Sequence, residues 1–271
     1  MIVTYNAPAG QHPAIYSELL NQIHMFIAGV PGSGKSVVIN GMIQAALYRT
    51  PLDIQFIFID PKIVELAEYS PLPHTIRYAS GENPAGMVDA LKFAVDLMMF
   101  RYHDMKKRGE KMYTNGPDIY VIIDELADLM TTNKRQVEPL ILRILQLGRA
   151  AKMHLIMATQ QIYSDIISGP IRANVPTSLG LHTRDSMQSR MVIGCNGCET
   201  LPQYGYGHLV TPNDARKITL PMYNATDTAR LIAHWSNPVN VVDVQLTPDD
   251  IRPGRPAPTK SEMIRRALKL Y

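Results

Sequence analysis

The chain has 271 residues, of which 46% are hydrophobic and 19% charged, so it can bury a sizeable core and wholesale disorder is excluded. Two cysteines in this length rule against a disulfide-built secreted scaffold, and a net charge of +3 with a pI near 8.8 points only weakly to a nucleic-acid partner. No apolar run approaches the roughly 20 residues of a spanning helix, and Met1 to Asn6 lacks the start of a signal peptide, so a cytoplasmic chain without direct membrane insertion is expected.

Apolar runs alternate with longer helical patterns along the chain, which predicts an α/β fold with a mostly parallel central sheet flanked by helices. His24 to Ala28 reads as a first strand running into a glycine-rich loop, and Lys35 to Tyr48 as the helix after it, stopped by Pro51. Ile54 to Ile59 is a second buried strand, and Pro84 to Lys107 a long amphipathic helix. Ile119 to Ile123 is a third strand. Val137 to Ala150 is a helix with Pro139 in its first turn. His154 to Ala158 and Thr177 to Leu181 are further strands, followed by a short helix from Arg184 to Ile193. Two short late strands are expected at His208 to Val210 and Lys217 to Leu220. The pattern divides into a lead-in at 1–23, a main domain at 24–248, and a proline-rich linker with a basic tail at 249–271.

Gly29-Val30-Pro31-Gly32-Ser33-Gly34-Lys35-Ser36 is a complete G-x-x-x-x-G-K-[ST] between a predicted strand and a predicted helix. Glycines let several backbone N–H groups face one anion, the following helix adds its positive end, and Val37 in its first turn joins residues 29 and 31–36 as a candidate nucleotide-binding position. Lys35 then reaches the β- and γ-phosphates of ATP, and the Ser36 hydroxyl ligates Mg²⁺. The apolar strand ending in Asp124-Glu125 supplies the second half of such a site. Asp124 holds the metal through its water shell, and Glu125 polarises the attacking water as a general base. The plain alternative for this pair is a strand followed by a helix-capping acid. Thr159 or Gln160, ending the next strand, is a candidate contact to the γ-phosphate or that water, or simply a polar strand end.

Several strings go beyond generic nucleotide motifs. They are Ile59-Asp60-Pro61-Lys62-Ile63-Val64-Glu65-Leu66, Ile123-Asp124-Glu125-Leu126-Ala127-Asp128-Leu129-Met130, and Arg149-Ala150-Ala151 running on to Ala158-Thr159-Gln160. With them, residues 10 to 210 resemble the motor domain of the FtsK/SpoIIIE DNA translocases within the FtsK–HerA group. The resemblance implies a RecA-like P-loop NTPase fold, a homo-oligomeric ring of six subunits, and ATP-driven movement of double-stranded DNA. It also implies ATP between subunits, with Arg149 as the arginine reaching the neighbour's nucleotide; the plain reading of Arg149 is a charge offsetting a helix dipole. Arg172, Arg184 and Arg190 fall where the family's DNA-contacting loops lie, and equally suit solvated surface charge. Gln161-Ile162 departs from the family's usual Arg-Pro, and Gly205-Tyr206-Gly207-His208 lacks its acid.

Two other functions remain open on the sequence: a conjugative coupling or type VII secretion-type ATPase, and a slow nucleotide-gated assembly factor. Cys195-Asn196-Gly197-Cys198 has no second ligand pair at metal-site spacing, so a zinc or redox role is not expected. The basic run Lys106-Lys107-Arg108 reads as a solvated helix end.

Overall fold

A computed structural model describes residues 14–49, 53–222 and 225–236. The proline-rich linker and basic tail expected at 249–271, and Pro51 as a helix stop, lie outside the described residues. Eight strands form one sheet in the order β3-β2-β4-β5-β1-β6-β7-β8. They are β1 His24–Ala28, β2 Ile54–Asp60, β3 Thr75–Ser80, β4 Asp118–Ile123, β5 Met153–Thr159, β6 Thr177–Gly180, β7 Tyr206–Val210 and β8 Ala215–Thr219. The first six run parallel, and β7 and β8 close one side antiparallel. The helices are α1 Ala14–Leu20, α2 Lys35–Arg49, α3 Pro84–Arg108, α4 Leu126–Leu147, α5 Gly169–Asn174, α6 Ser186–Ile193 and α7 Ala225–Ser236.

The central strands are continuous apolar runs because both of their faces are covered. Side chains alternate between two cores, as the pleat requires. Met25, Ile27, Phe56, Phe58, Tyr120, Ile122, Ile156 and Ala158 pack with α1, α2 and α7. Phe26, Ile57, Ile59, Val121, Ile123, Leu155 and Met157 pack on the other face with α3, α4, α5 and α6.

Several sequence expectations need correction. Within the lead-in at 1–23, α1 buries Tyr16 and Leu19 in the core, a helix the sequence pattern did not reveal, and a Cβ on Gly41 of α2 would stand 2.6 Å from the Tyr16 ring. The helix expected from Val137 begins at Leu126 and bends at Asn133 (φ −136°, ψ 28°). Pro139 is therefore inside α4, past its first turn. Strand β3, with largely half-exposed polar positions at the sheet edge, and the short α5 escaped the apolar periodicity. Lys106, Lys107 and Arg108 do occupy the last turn of α3, where Gly109 caps the helix at φ 68° and Arg108 pairs with Asp104 and Glu110.

Candidate active site

The carboxyl ends of the neighbouring strands β2, β4, β5, β1 and β6 carry, in that order, Asp60, Asp124-Glu125, Gln160, the glycine-rich loop and His182. Parallel strands present their C-terminal loops on one edge, which is where α/β folds of this kind bind ligands. The loop at 29–34 leaves β1 and enters α2 at Lys35. Its shape depends on Gly32 (φ 77°) and Gly34 (φ 98°), and nothing lies within 4 Å of where a Gly34 Cβ would stand, so the turn faces open space. The amide of Val30 donates to the carbonyl of His182 at 2.9 Å, and that of Ser33 to Val30 at 3.0 Å. The first amides of α2 have no carbonyl within the helix to receive them, and they point into the turn with the positive end of the helix dipole.

Lys35 is buried and its ammonium donates to the Asp124 carbonyl at 2.9 Å and to Oδ1 of the same residue. Burial raises the Asp124 carboxyl above the usual carboxylate range; Lys35 pulls the other way, and Glu65 and Asp60 add to the rise. Oδ2 of Asp124 and Oγ of Ser33 are buried without a hydrogen-bond partner. An orphaned buried carboxylate oxygen facing a phosphate-type loop fits a Mg²⁺ shell, with Ser36 at the start of α2 as the hydroxyl ligand. Among the described residues no cluster of three or more His, Cys, Asp or Glu forms a cage. Mg²⁺ does not need one, since it keeps waters and takes its remaining oxygens from phosphates.

Glu125 is fully buried. The Thr159 hydroxyl donates to its Oε1, the Gln160 amide donates to both oxygens at 3.1 and 3.2 Å, and the Lys62 ammonium lies 3.0 Å from Oε2. Burial works to lower the Lys62 pKa, but the Glu125 carboxylate, with Asp124 and Asp128, outweighs it and holds the ammonium above the ordinary lysine value. Lys62 had no role in the sequence reading. The only signal was its place in the Asp60-Pro61-Lys62 string.

A cavity of about 530 Å³ lies over the loop, lined by Gly32 to Val37, Val30 and Gln160 on one side and by Tyr204, Gly205, Leu220 and Met222 on the other. The second wall comes from the antiparallel extension, which the sequence did not connect to the loop. Gly29 sits outside this lining, where any Cβ would meet Ser33 Oγ at 2.5 Å and Leu181 Cβ at 2.6 Å. Pro31 is exposed at the tip of the turn.

Arg149 is exposed and stands apart from this edge. It precedes β5 in the turn after α4, and a Cβ on the adjacent Gly148 would meet the His24 ring at 2.8 Å. His24 begins β1 and the glycine-rich loop follows its end, so the whole strand lies between Arg149 and the cavity. The three candidate DNA-contacting arginines are exposed but do not form one patch. Arg184 follows β6 on the cavity edge, and Arg190 is on α6, bonded to Asn196 at 2.8 Å. Arg172 is on α5, which leads into the opposite end of β6 and bonds the Ile167 carbonyl at 3.3 Å. Gln161 is exposed and Ile162 is buried in the core. Cys195 and Cys198 are both free, and burial pushes the Cys198 thiol up to about 11, which leaves it unreactive.

Among the described residues, no helix is long and apolar enough to cross a membrane. A model of the FtsK/SpoIIIE family matches residues 8–116 and 110–164. A DNA translocase FtsK of Rickettsia typhi is 33% identical over 87% of this chain and 38% of its own length. Another from Leptospira interrogans is 38% identical over 67% of this chain and 21% of its own. The chain thus spans well under half of these curated relatives. The fold is similar to the pCW3 conjugation coupling protein TcpA (TM-score 0.68, 22% identity, 79% of this chain and 65% of that one). It is also similar to the cytoplasmic domain of the Thermomonospora curvata type VII secretion ATPase EccC (TM-score 0.65, 21% identity, 75% and 26%). The chain therefore has the fold of P-loop ATPases.

Proposed function

The chain belongs to the FtsK/SpoIIIE family, and from that premise we propose that it is a Mg²⁺-dependent ATPase that moves double-stranded DNA. One observation carries the reading. Lys35 and Ser36 follow β1, Asp124 and Glu125 follow β4, and Gln160 follows β5; Lys35, Ser36 and Gln160 line the cavity, and behind them Lys35 bonds Asp124 and the Gln160 amide bonds Glu125. The loop and the start of α2 would bind the phosphates through backbone amides and Lys35, whose bond to Asp124 gives way to them. Ser36 and Asp124 would hold Mg²⁺, which neutralises charge on the phosphates. Glu125 would accept the proton of the attacking water, with Gln160 beside it. Base recognition would fall to Tyr204, Leu220 and Met222.

DNA as the substrate is carried over from the name of the relatives; a homo-oligomer, with six subunits in a ring, is what the resemblance to the family implies. The exposed Arg149, a full strand away from its own cavity, supports a role in a neighbour's site. Arg172, Arg184 and Arg190 would grip phosphates.

The test is the rate of ATP hydrolysis with and without long duplex DNA, alongside the mass of the assembly. Stimulation by DNA in a hexamer is the expected result. Hydrolysis indifferent to DNA would leave an ATPase with another cargo, and absence of hydrolysis would remove the enzymatic reading.

A further inference from the structure

Both oxygens of Glu125 are taken. A carboxylate offers about four lone-pair sites. Three donors hold it: the Thr159 hydroxyl on Oε1, the Gln160 amide shared between both oxygens, and the Lys62 ammonium on Oε2, so each oxygen of this fully buried group is engaged and Lys62 covers the face of Oε2 nearest solvent. A general base must present a lone pair to the proton it removes. Thr159 ends β5, which is locked between β4 and β1, and the Gln160 amide follows it directly, so these two donors cannot withdraw without moving the sheet. The Lys62 side chain is 35% exposed, while Glu125 is 0% exposed, so the lysine is the contact that can leave.

The loop that carries Lys62 is rigid at its base and strained at its tip. The buried Asp60 carboxylate accepts from the amides of Lys62 at 3.2 Å, Ile63 at 2.9 Å and Leu66 at 2.9 Å. Behind it, the Gly81 amide donates to the Asp60 carbonyl at 3.0 Å, and a Cβ at Gly81 would stand 2.0 Å from the Pro61 carbonyl oxygen. The next residue, Ile63, has φ 72°, a region that β-branched residues avoid. Such strain persists where surrounding structure over-determines it, typically at sites that switch or clamp. Ile63 is 39% and Val64 75% exposed, so the strained tip faces outward, and any contact that shifts it shifts Lys62.

We propose that Lys62 is a latch on Glu125, holding the base closed at rest and releasing it when the tip at Ile63-Val64 is displaced. The proposal rests on the reading of Glu125 as the general base of an ATPase. A lysine that merely stabilised the fold, or that aided the reaction as a fixed charge, would behave in the opposite way when removed.

The experiment compares wild type with Lys62→Met at saturating ATP and Mg²⁺ without DNA, with nucleotide affinity measured separately by a fluorescent ATP analogue. Methionine keeps the apolar stem and removes the ammonium. The expected result is a rise in kcat on the order of tenfold, the factor equivalent to one charge-assisted hydrogen bond, with nucleotide affinity unchanged. Lys62→Arg should keep the wild-type rate, and Lys62→Met combined with Glu125→Gln should be silent. If Lys62→Met does not fold, Lys62→Ala, which likewise removes the donor, is read in the same way. A wild type that turns over and a Lys62→Met protein that is equal or slower overturns the latch alone. Bound nucleotide with no turnover in either protein overturns the role of Glu125 and the latch with it.

Discussion

The hydroxyl of Thr159 is hydrogen-bonded to Oε1 of Glu125 across two adjacent strands, tying the end of β5 to the end of β4. Thr159 also receives the Gln161 amide at 3.1 Å, so one side chain organises both the carboxylate and the backbone after it. Thr159→Val is nearly isosteric and leaves a buried carboxylate oxygen without that donor. Turnover should fall by roughly tenfold, about the value of one hydrogen bond to a charged group, with ATP affinity held. Steady-state kinetics beside a nucleotide-binding titration check this; wild-type kcat would show that Thr159 does not orient Glu125.

Glu125→Gln should bind ATP and hydrolyse it about 10²–10⁴-fold more slowly, the usual contribution of a general base. Lys35→Ala should weaken binding and hydrolysis together, because it also leaves Asp124 Oδ1 without its ammonium. Single-turnover hydrolysis with pre-bound nucleotide separates the two effects. Full activity of Glu125→Gln would assign the base elsewhere.

Arg149 should act on a neighbouring subunit. Mixing Arg149→Ala with Glu125→Gln subunits should restore part of the activity, since some interfaces then pair an intact Arg149 with an intact Glu125. Additive loss with no restoration at any mixing ratio argues that Arg149 does not complete a partner's site.

Because Arg172 and Arg184 lie at opposite ends of β6, they should be tested singly as well as together. Each phosphate contact removed should flatten the salt dependence of duplex binding by about one counterion, with little effect of sequence. DNA-stimulated ATPase should fall while basal ATPase holds. An unchanged salt slope in the double alanine variant moves the DNA path away from both residues.

Arg101 is the buried support of the Arg149 turn. Its guanidinium donates to the carbonyls of Ala151 at 2.7 Å, Lys152 at 3.3 Å and Pro117 at 2.8 Å, and it stacks on Tyr113 at 4.6 Å. Burial lowers its pKa to about 10, with Tyr113 and Asp118 pulling the other way, so it stays charged at neutral pH. Arg101→Met should cost about 3 kcal/mol, since it orphans several buried acceptors. Chemical denaturation measures it; a loss below about 1 kcal/mol would mean the turn is held by its own backbone.

What the sequence determined by itself follows from local rules. Buried parallel strands must be apolar throughout, so β1, β2, β4 and β5 were legible as runs, and a glycine-rich loop ending in Lys35-Ser36 needs its residues contiguous. Edge and amphipathic pieces were not legible in this way. Strand β3 is half-exposed and largely polar, and α1 and α7 are short helices that bury only a few side chains, packed against α2. The tertiary structure alone decided which side chains meet. Lys62 reaches Glu125 across 63 residues because β2 and β4 are neighbours, and Tyr204 faces Val30 because β7 and β8 extend the sheet past β6. The same strand order put Arg172 and Arg184 at opposite ends of β6, although they are close in sequence. Strand order is set by how the two cores pack across the sheet, and no local pattern of residues records it.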